Sequence, residues 1–197
     1  MKKTLLVLGN DKISGKALKK INNSNKNIKI VIDRSTSLKR VYKLINLKIL
    51  SLSLVIKMFF SELFRKSKKP NKKLCGTSTN LDLLNFIKDF NPDRLILFRA
   101  GLIINKNVLK TGIPILNIHA AKVPEFGGLG SIDKALKSGA YNQSACLHIV
   151  TSKIDEGEVI DSEDYQLNPK KNYYINEEIA YNASTNLLLR AIKKNYF

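Results

Sequence analysis

Cysteine and histidine are scarce in this 197-residue chain, two of each, and acidic residues number only 16. Cys75 and Cys146 lie far apart and form no CxxC pair, which argues against a zinc site and a disulfide framework and for a reducing, cytoplasmic compartment. No long apolar run is present. The opening "MKKTLLVLGNDKISG" has a basic start, but Leu5 to Leu8 is too short for a signal-peptide core. The shortage of acids against 34 Lys and Arg leaves a net charge of +18. The excess is concentrated: residues 38–73 hold eleven Lys or Arg and one acid, Glu62. Such a patch suits a polyanion, yet no RNA- or DNA-binding motif accompanies it, and a lysine- and asparagine-rich composition would produce the same excess.

What is present is a chain long enough for one α/β domain, with 44% hydrophobic residues. "TLLVLGN" (4–10) reads as a buried strand ending in a glycine turn, followed by a helix through Ala17, Leu18 and Ile21, and "IKIVID" (28–33) as a second strand. Further on, 78–91 carries a helix start signal and helical spacing. "RLILF" (94–98), "PILNI" (114–118), "SACLHIV" (144–150) and 159 to about 165 read as strands. Helices are expected over 132–137 and from Glu177 to about Ile192. Strands alternating with helices predict an open, mostly parallel Rossmann-like sheet with helices on both faces, whose ligands bind beyond the carboxyl ends of the strands.

The segment "KLINLKILSLSLVIKMFFSELFRKSKK" fits this frame poorly. Ile45, Ile49, Leu52, Ile56, Phe59 and Leu63 make one helical stripe, while Leu47, Leu50 and Leu54 fall opposite, so a helix over 44–64 needs two neighbours. Lys48, Lys57 and Glu62 interrupt it, and a bilayer crossing takes about 20 apolar residues. Three readings stay open: packing on the sheet under a loop, a homodimer contact, or a basic amphipathic helix lying peripherally on the inner membrane face.

One histidine stands where a ligand is expected. In "LNIHAAKVPEFGGLG" (116–130), His119 follows Asn117 as a strand ends and a glycine-rich loop begins. The other, His148, is mid-strand, seven residues before Asp155 in a turn followed by Gly157. Alone, each has a bland reading: a hydrogen-bonded structural histidine, a solvated turn aspartate.

Together, an N-x-H ending a strand, a Pro- and Gly-containing loop, "ALKSG", a strand with a histidine, and "KIDEGEVI" come in an order that resembles the N10-formyltetrahydrofolate-dependent formyltransferases. That family includes glycinamide ribonucleotide, methionyl-tRNA and sugar-nucleotide formyltransferases. The resemblance covers about Arg94 to Ile160 firmly and "LVLGN" weakly. It implies a single formyltransferase domain over 1–197, with Asn117, His119 and Asp155 as catalytic residues and no metal. It also implies that the folate pterin sits against backbone near Leu102, Ile103 and Ile104 and in the turn Ser152, Lys153 and Ile154. His148 is expected to be a supporting or core residue.

The loop departs from the family's P-S-L-L-P at Ala120, Ala121 and Lys122, which implies a different amine-bearing substrate, with Lys122 at the cleft. The first turn has Gly9 and Gly15 but lacks the tight glycine spacing of a ribonucleotide phosphate site, though Asn10 could still touch substrate. Methionyl-tRNA formyltransferase carries a second domain, whereas this chain stops at Phe197, so no tRNA acceptor is expected. The acceptor expected is a primary amine on an amino sugar of a nucleotide-linked or polysaccharide precursor. Glycinamide ribonucleotide is the alternative, and a non-catalytic polyanion- or membrane-binding protein retaining the fold is the rival of another class.

Overall fold

Strand β1 (Thr4–Gly9) is buried at every residue, and its side chains alternate between two cores. Leu5 and Val7 join one cluster with Val31, Leu83, Leu95 and Leu97; Leu6 and Leu8 join the other with Ile32, Ile96, Ala183 and Leu187. A strand covered on both faces must read as a continuous apolar run, as "LLVL" does. The computed structural model describes residues 2–21, 26–194 and 196.

The chain runs β1, α1 (Lys12–Lys20), β2 (Ile28–Asp33), α2 (Leu38–Asn46), α3 (Leu52–Phe64), β3 (Gly76–Thr77), α4 (Asn80–Phe90), β4 (Arg94–Phe98), α5 (Lys106–Leu109), β5 (Ile115–His119), α6 (Ser131–Lys137), β6 (Asn142–Ile149), β7 (Val159–Gln166) and α7 (Tyr173–Lys193). The sheet order is β3-β2-β1-β4-β5-β6-β7. Strands β1 to β5 pair in parallel, and β6 and β7 add antiparallel at one side. This is the open, mostly parallel α/β sheet expected.

Helix α7 begins at Tyr173, earlier than its apolar stripe suggests, because the Asn172 side chain caps it by accepting from the Ile175 N–H. Its other end is tied to the sheet by the buried Arg94, which donates to the Ile192 and Lys194 carbonyls and to Thr4 Oγ1. Two short elements, β3 and α5, had no sequence signal.

The helix expected over 44–64 is not one helix. α2 ends at Asn46, Lys48 takes a left-handed backbone (φ 56°), and Ser51 caps a new helix by accepting from the Leu54 N–H. The turn splits the stripe. Nor does α3 lie against the sheet under a loop: its Leu54 side rests on α7 and on Gly130 at the start of α6, and its other side is exposed. Among the described residues no helix is long and apolar enough to cross a membrane.

Candidate active site

Asn117 and His119 are two apart on β5, so both point to one face of the sheet, at its carboxyl edge. In the antiparallel pairing of β5 and β6, Asn117 stands directly opposite His148, which brings their side chains together. Asn117 Nδ2 lies 3.1 Å from His148 Nε2. His148 Nδ1 is 3.0 Å from the Ile149 carbonyl, and its Nε2 stands between Asn117 Nδ2 and the Asp155 carboxylate.

Asp155 comes back to this pair from the turn after β6. Its backbone is left-handed (φ 52°), and Gly157 two residues on is the reason the turn can be so tight. A Cβ there would stand 1.7 Å from the Ile149 carbonyl oxygen, a backbone atom that β6 holds in place. Gly157→Ala is therefore expected to lift the turn off β6, costing about 1–3 kcal/mol and lowering Tm by on the order of 5 °C. Thermal unfolding checks this, and an unchanged melt would refute the tight contact.

The Asp155 carboxylate is the hub of the cluster. Oδ1 accepts from Asn117 Nδ2 (3.2 Å) and lies 3.3 Å from His148 Nε2; Oδ2 accepts from the Gly128 N–H (2.8 Å) and lies 3.2 Å from His119 Nδ1. Gly128 belongs to the glycine-rich loop, and it adopts a left-handed conformation (φ 76°) that aims its N–H at the carboxylate. The loop is fixed from four sides: the Tyr165 hydroxyl donates to the Ala120 carbonyl, Lys122 N–H donates to Gln143 Oε1, Lys134 Nζ donates to the Gly127 carbonyl, and Asp155 receives Gly128.

Burial raises the proton affinity of Asp155, but the hydrogen bond from His148, the charge of His119 and the Gly128 N–H outweigh it and hold the carboxyl at about 2. For His119 the balance runs the other way. Burial pulls the imidazole below its ordinary value, and the Asp155 carboxylate and Phe126 carbonyl oppose this without overcoming it. His119 Nε2 lies 2.9 Å from the Phe126 carbonyl, so both ring nitrogens face acceptors.

The other expected site residues lie along the same edge of the sheet. Leu102, Ile103 and Ile104 follow β4, the strand beside β5. Their loop is pinned by Asp33, whose Oδ2 accepts from the Gly101 and Leu102 N–H groups, and by Asn80, which donates to the Ile103 carbonyl and accepts from Asn105 N. Among the described residues no hydrogen bond engages the Leu102 carbonyl or either backbone group of Ile104. Ser152, Lys153 and Ile154 are exposed in the turn leading into Asp155, where the Lys153 N–H donates to Thr151 Oγ1. Lys122 is exposed on the loop. Asn10 is exposed at the end of β1, two strands from β5 and outside the cluster.

Sequence reasoning missed what closes the N-terminus of α1. Asp11 Oδ1 accepts from the Ser14 N–H, and Glu62, arriving from α3, accepts from the Lys12 N–H at 3.0 Å. Arg99, with a left-handed backbone (φ 54°), joins Asp11 at 2.5 Å and Glu177 at 3.6 Å and lies over the Tyr181 ring. No local signal connects Glu62 with a helix start fifty residues away.

A family model described as formyl transferase matches residues 2–191. Over 115 residues the chain is 26% identical to methionyl-tRNA formyltransferase of Borreliella afzelii, a match that takes in 57% of this chain but only 36% of that protein. Among solved structures it resembles a candidate sugar N-formyltransferase of Mycobacterium tuberculosis (TM-score 0.67, 10% identity, 98% of this chain and 66% of that one). It also resembles phosphoribosylglycinamide formyltransferase of Anaplasma phagocytophilum (TM-score 0.65, 14% identity, 98% and 86%). At these identities the structural likeness is one of fold.

Proposed function

The chain belongs to the formyl transferase family, and from that premise we propose that it moves a formyl group from N10-formyltetrahydrofolate to a primary amine carried by an amino sugar of a nucleotide-linked or polysaccharide precursor. The observation that carries the reading is the single cluster in which Asn117, His119 and Asp155 meet at the carboxyl edge of the sheet. When a neutral amine attacks the formyl carbon, the carbonyl oxygen gains negative charge. Asn117 Nδ2–H and His119 N–H are donors positioned for that charge, and stabilising developing charge is usually the largest catalytic effect.

Both donors are engaged by the protein itself before substrate arrives, so catalysis begins with an exchange. Taking up a proton from solvent, the His119 ring turns its Nε2–H from the Phe126 carbonyl to the substrate oxygen, and Asp155 accepts from Nδ1–H and stabilises the imidazolium so formed. A carboxylate held at about 2 is a weak resting base. Its main role in this reading is therefore electrostatic: the attacking amine, cationic once its bond to carbon has formed, sheds a proton that passes through Asp155 or a water to N10, and the tetrahedral centre collapses with cleavage of the C–N10 bond, releasing tetrahydrofolate and the formamide.

The donor's pterin fits the loop after β4. Asp33 and Asn80 hold that backbone in place without using the Leu102 carbonyl or the Ile104 backbone groups, which suit the polar edge of a pterin; the turn at 152–154 faces the same edge of the sheet. For the acceptor, α1 supports a sugar over glycinamide ribonucleotide. A phosphate resting on that helix N-terminus would compete with Asp11 and Glu62, carboxylates already on its N–H groups.

Mass spectrometry of products from N10-formyltetrahydrofolate and a panel of amines tests the reading. Nucleotide-linked amino sugars are expected to gain a formyl group, and exclusive formylation of glycinamide ribonucleotide or of methionyl-tRNA would overturn the acceptor. Lys122→Ala is expected to raise KM for the amine several-fold with kcat and folate affinity unchanged, because an exposed loop lysine contributes binding common to ground and transition states. An unchanged KM for the amine removes Lys122 from the acceptor site.

A further inference from the structure

Helices α2 and α3 carry an apolar surface that the fold does not use. The inward side of α3 is fully committed: Leu54 packs on Gly130, Lys57 pairs with Asp133 at 2.9 Å, Glu62 caps α1, and Arg65, just past its end, is buried between Glu177 and Glu178. These contacts fix the helix about its axis, so Leu52, Ile56, Phe59, Phe60, Leu63 and Phe64 must point away from the protein. They recur at helical spacing and are 47–69% exposed. α2 has no buried residue at all, and nine residues make a marginal helix in water without a surface to lie on. Leu38 and Tyr42 are exposed on it.

The charge around this surface has one sign. Lys39, Lys43, Lys48 and Lys66 are exposed, and the one acid among residues 38–73, Glu62, is turned inward onto Lys12 and Arg65.

We infer that α2 and α3 form a docking surface for an anionic phospholipid bilayer, with the aromatic stripe sunk to the boundary of headgroups and acyl chains and the lysines on lipid phosphates. This combination of an apolar stripe and flanking cations is what an interfacial helix needs. A second copy of the chain fits less well. A two-fold contact sets the same patch against itself, so two strongly basic surfaces would meet with no free carboxylate between them. A nucleic acid would answer the charge but leave the phenylalanines in water. Spanning is excluded by length: thirteen residues of α3 reach about 20 Å, short of the roughly 30 Å hydrocarbon core. The contact of Leu54 with Gly130 sets this lipid surface beside the glycine-rich loop that holds Asp155.

The inference is tested on the full chain by co-sedimentation with vesicles of phosphatidylcholine alone and of phosphatidylcholine and phosphatidylglycerol in equal parts. Binding to the anionic vesicles is expected to be at least about tenfold stronger, to weaken at high salt, and to be lost in Phe59→Glu/Phe64→Glu with the melting temperature unchanged. The natural chain has no tryptophan, so Phe59→Trp supplies a single reporter whose emission should shift to the blue on anionic vesicles. No binding, equal binding to both vesicles, or binding untouched by the double substitution overturns the inference. So does a dimer in sedimentation velocity that Phe59→Glu dissolves, which would assign the surface to a second copy. None of these readouts depends on formyl transfer, so the acceptor reading stands or falls separately.

Discussion

Replacing Asp155 with asparagine is expected to lower kcat by about 10²- to 10⁴-fold while leaving the affinity for folate nearly unchanged. The carboxylate touches His119, His148, Asn117 and the Gly128 N–H, and asparagine keeps the shape but not the charge. With the charge gone, only the Phe126 carbonyl is left to offset the burial of an imidazolium at His119, and the path for the amine's proton is broken. The pterin contacts in this reading are backbone groups after β4 and in the turn, and neither depends on that charge. Because the chain has no tryptophan to quench, folate affinity is best measured by titration calorimetry and turnover by product formation. A variant with turnover within tenfold of the natural enzyme would sink both roles of Asp155. A variant that loses folate binding together with turnover would mean instead that the charge shapes the loop, through Gly128.

The same cluster shows how far the sequence could be read. Strands β1 and β4 were legible because strands buried on both faces have little choice but to be mostly apolar, and β2 because its β-branched residues alternate with polar ones. Asn117 and His119 were legible because they sit where a strand leaves the sheet for a glycine-rich loop. The position of His148 against Asn117 was not, since it depends on the register of β5 against β6, and a shift of one residue would have turned its ring to the other face. Gly157 was visible as a turn residue, but the need for glycine comes from the Ile149 carbonyl, which only the folded chain brings there.

The helix expected over 44–64 was misread for a related reason. Its apolar periodicity runs on through Leu47 to Ser51, so a pattern alone continues the helix. What ends it is local chemistry, a left-handed Lys48 and a serine cap. Its inward face is mostly polar, made of Lys57, Ser61, Glu62 and Arg65, with partners on α1, α6 and α7 that no spacing rule reveals. The apolar stripe, which would ordinarily be taken as the buried side, is the exposed one. Ion pairs rather than hydrophobic contact set the orientation of α3, and that reverses the usual inference from an amphipathic pattern.

Removing the imidazole, as His119→Ala, is expected to lower kcat by about 10²- to 10³-fold, the typical loss of one donor to a developing oxyanion, with KM for folate little changed. The accompanying test is the titration of the ring itself. Burial sets His119 below the ordinary imidazole value of 6.5, and Asp155 acts to raise it, so in Asp155→Asn the ring should titrate lower still. With only two histidines in the chain, a His148→Gln variant suffices to assign the imidazole signals in an NMR titration. The sign carries over to stability. A ring whose folded value is depressed takes up its proton more readily when unfolded, so the protein loses stability as pH falls from about 6.5. Asp155, depressed to about 2, adds a second loss only below the ordinary carboxylate range. His119→Ala should remove the first loss and shrink the second, because the charge of His119 is one of the effects that hold Asp155 down. A ring that titrates above 6.5 in the natural protein would mean that its two acceptors outweigh its burial, and one that rises when Asp155 is neutralised would mean that the carboxylate does not favour the imidazolium at all.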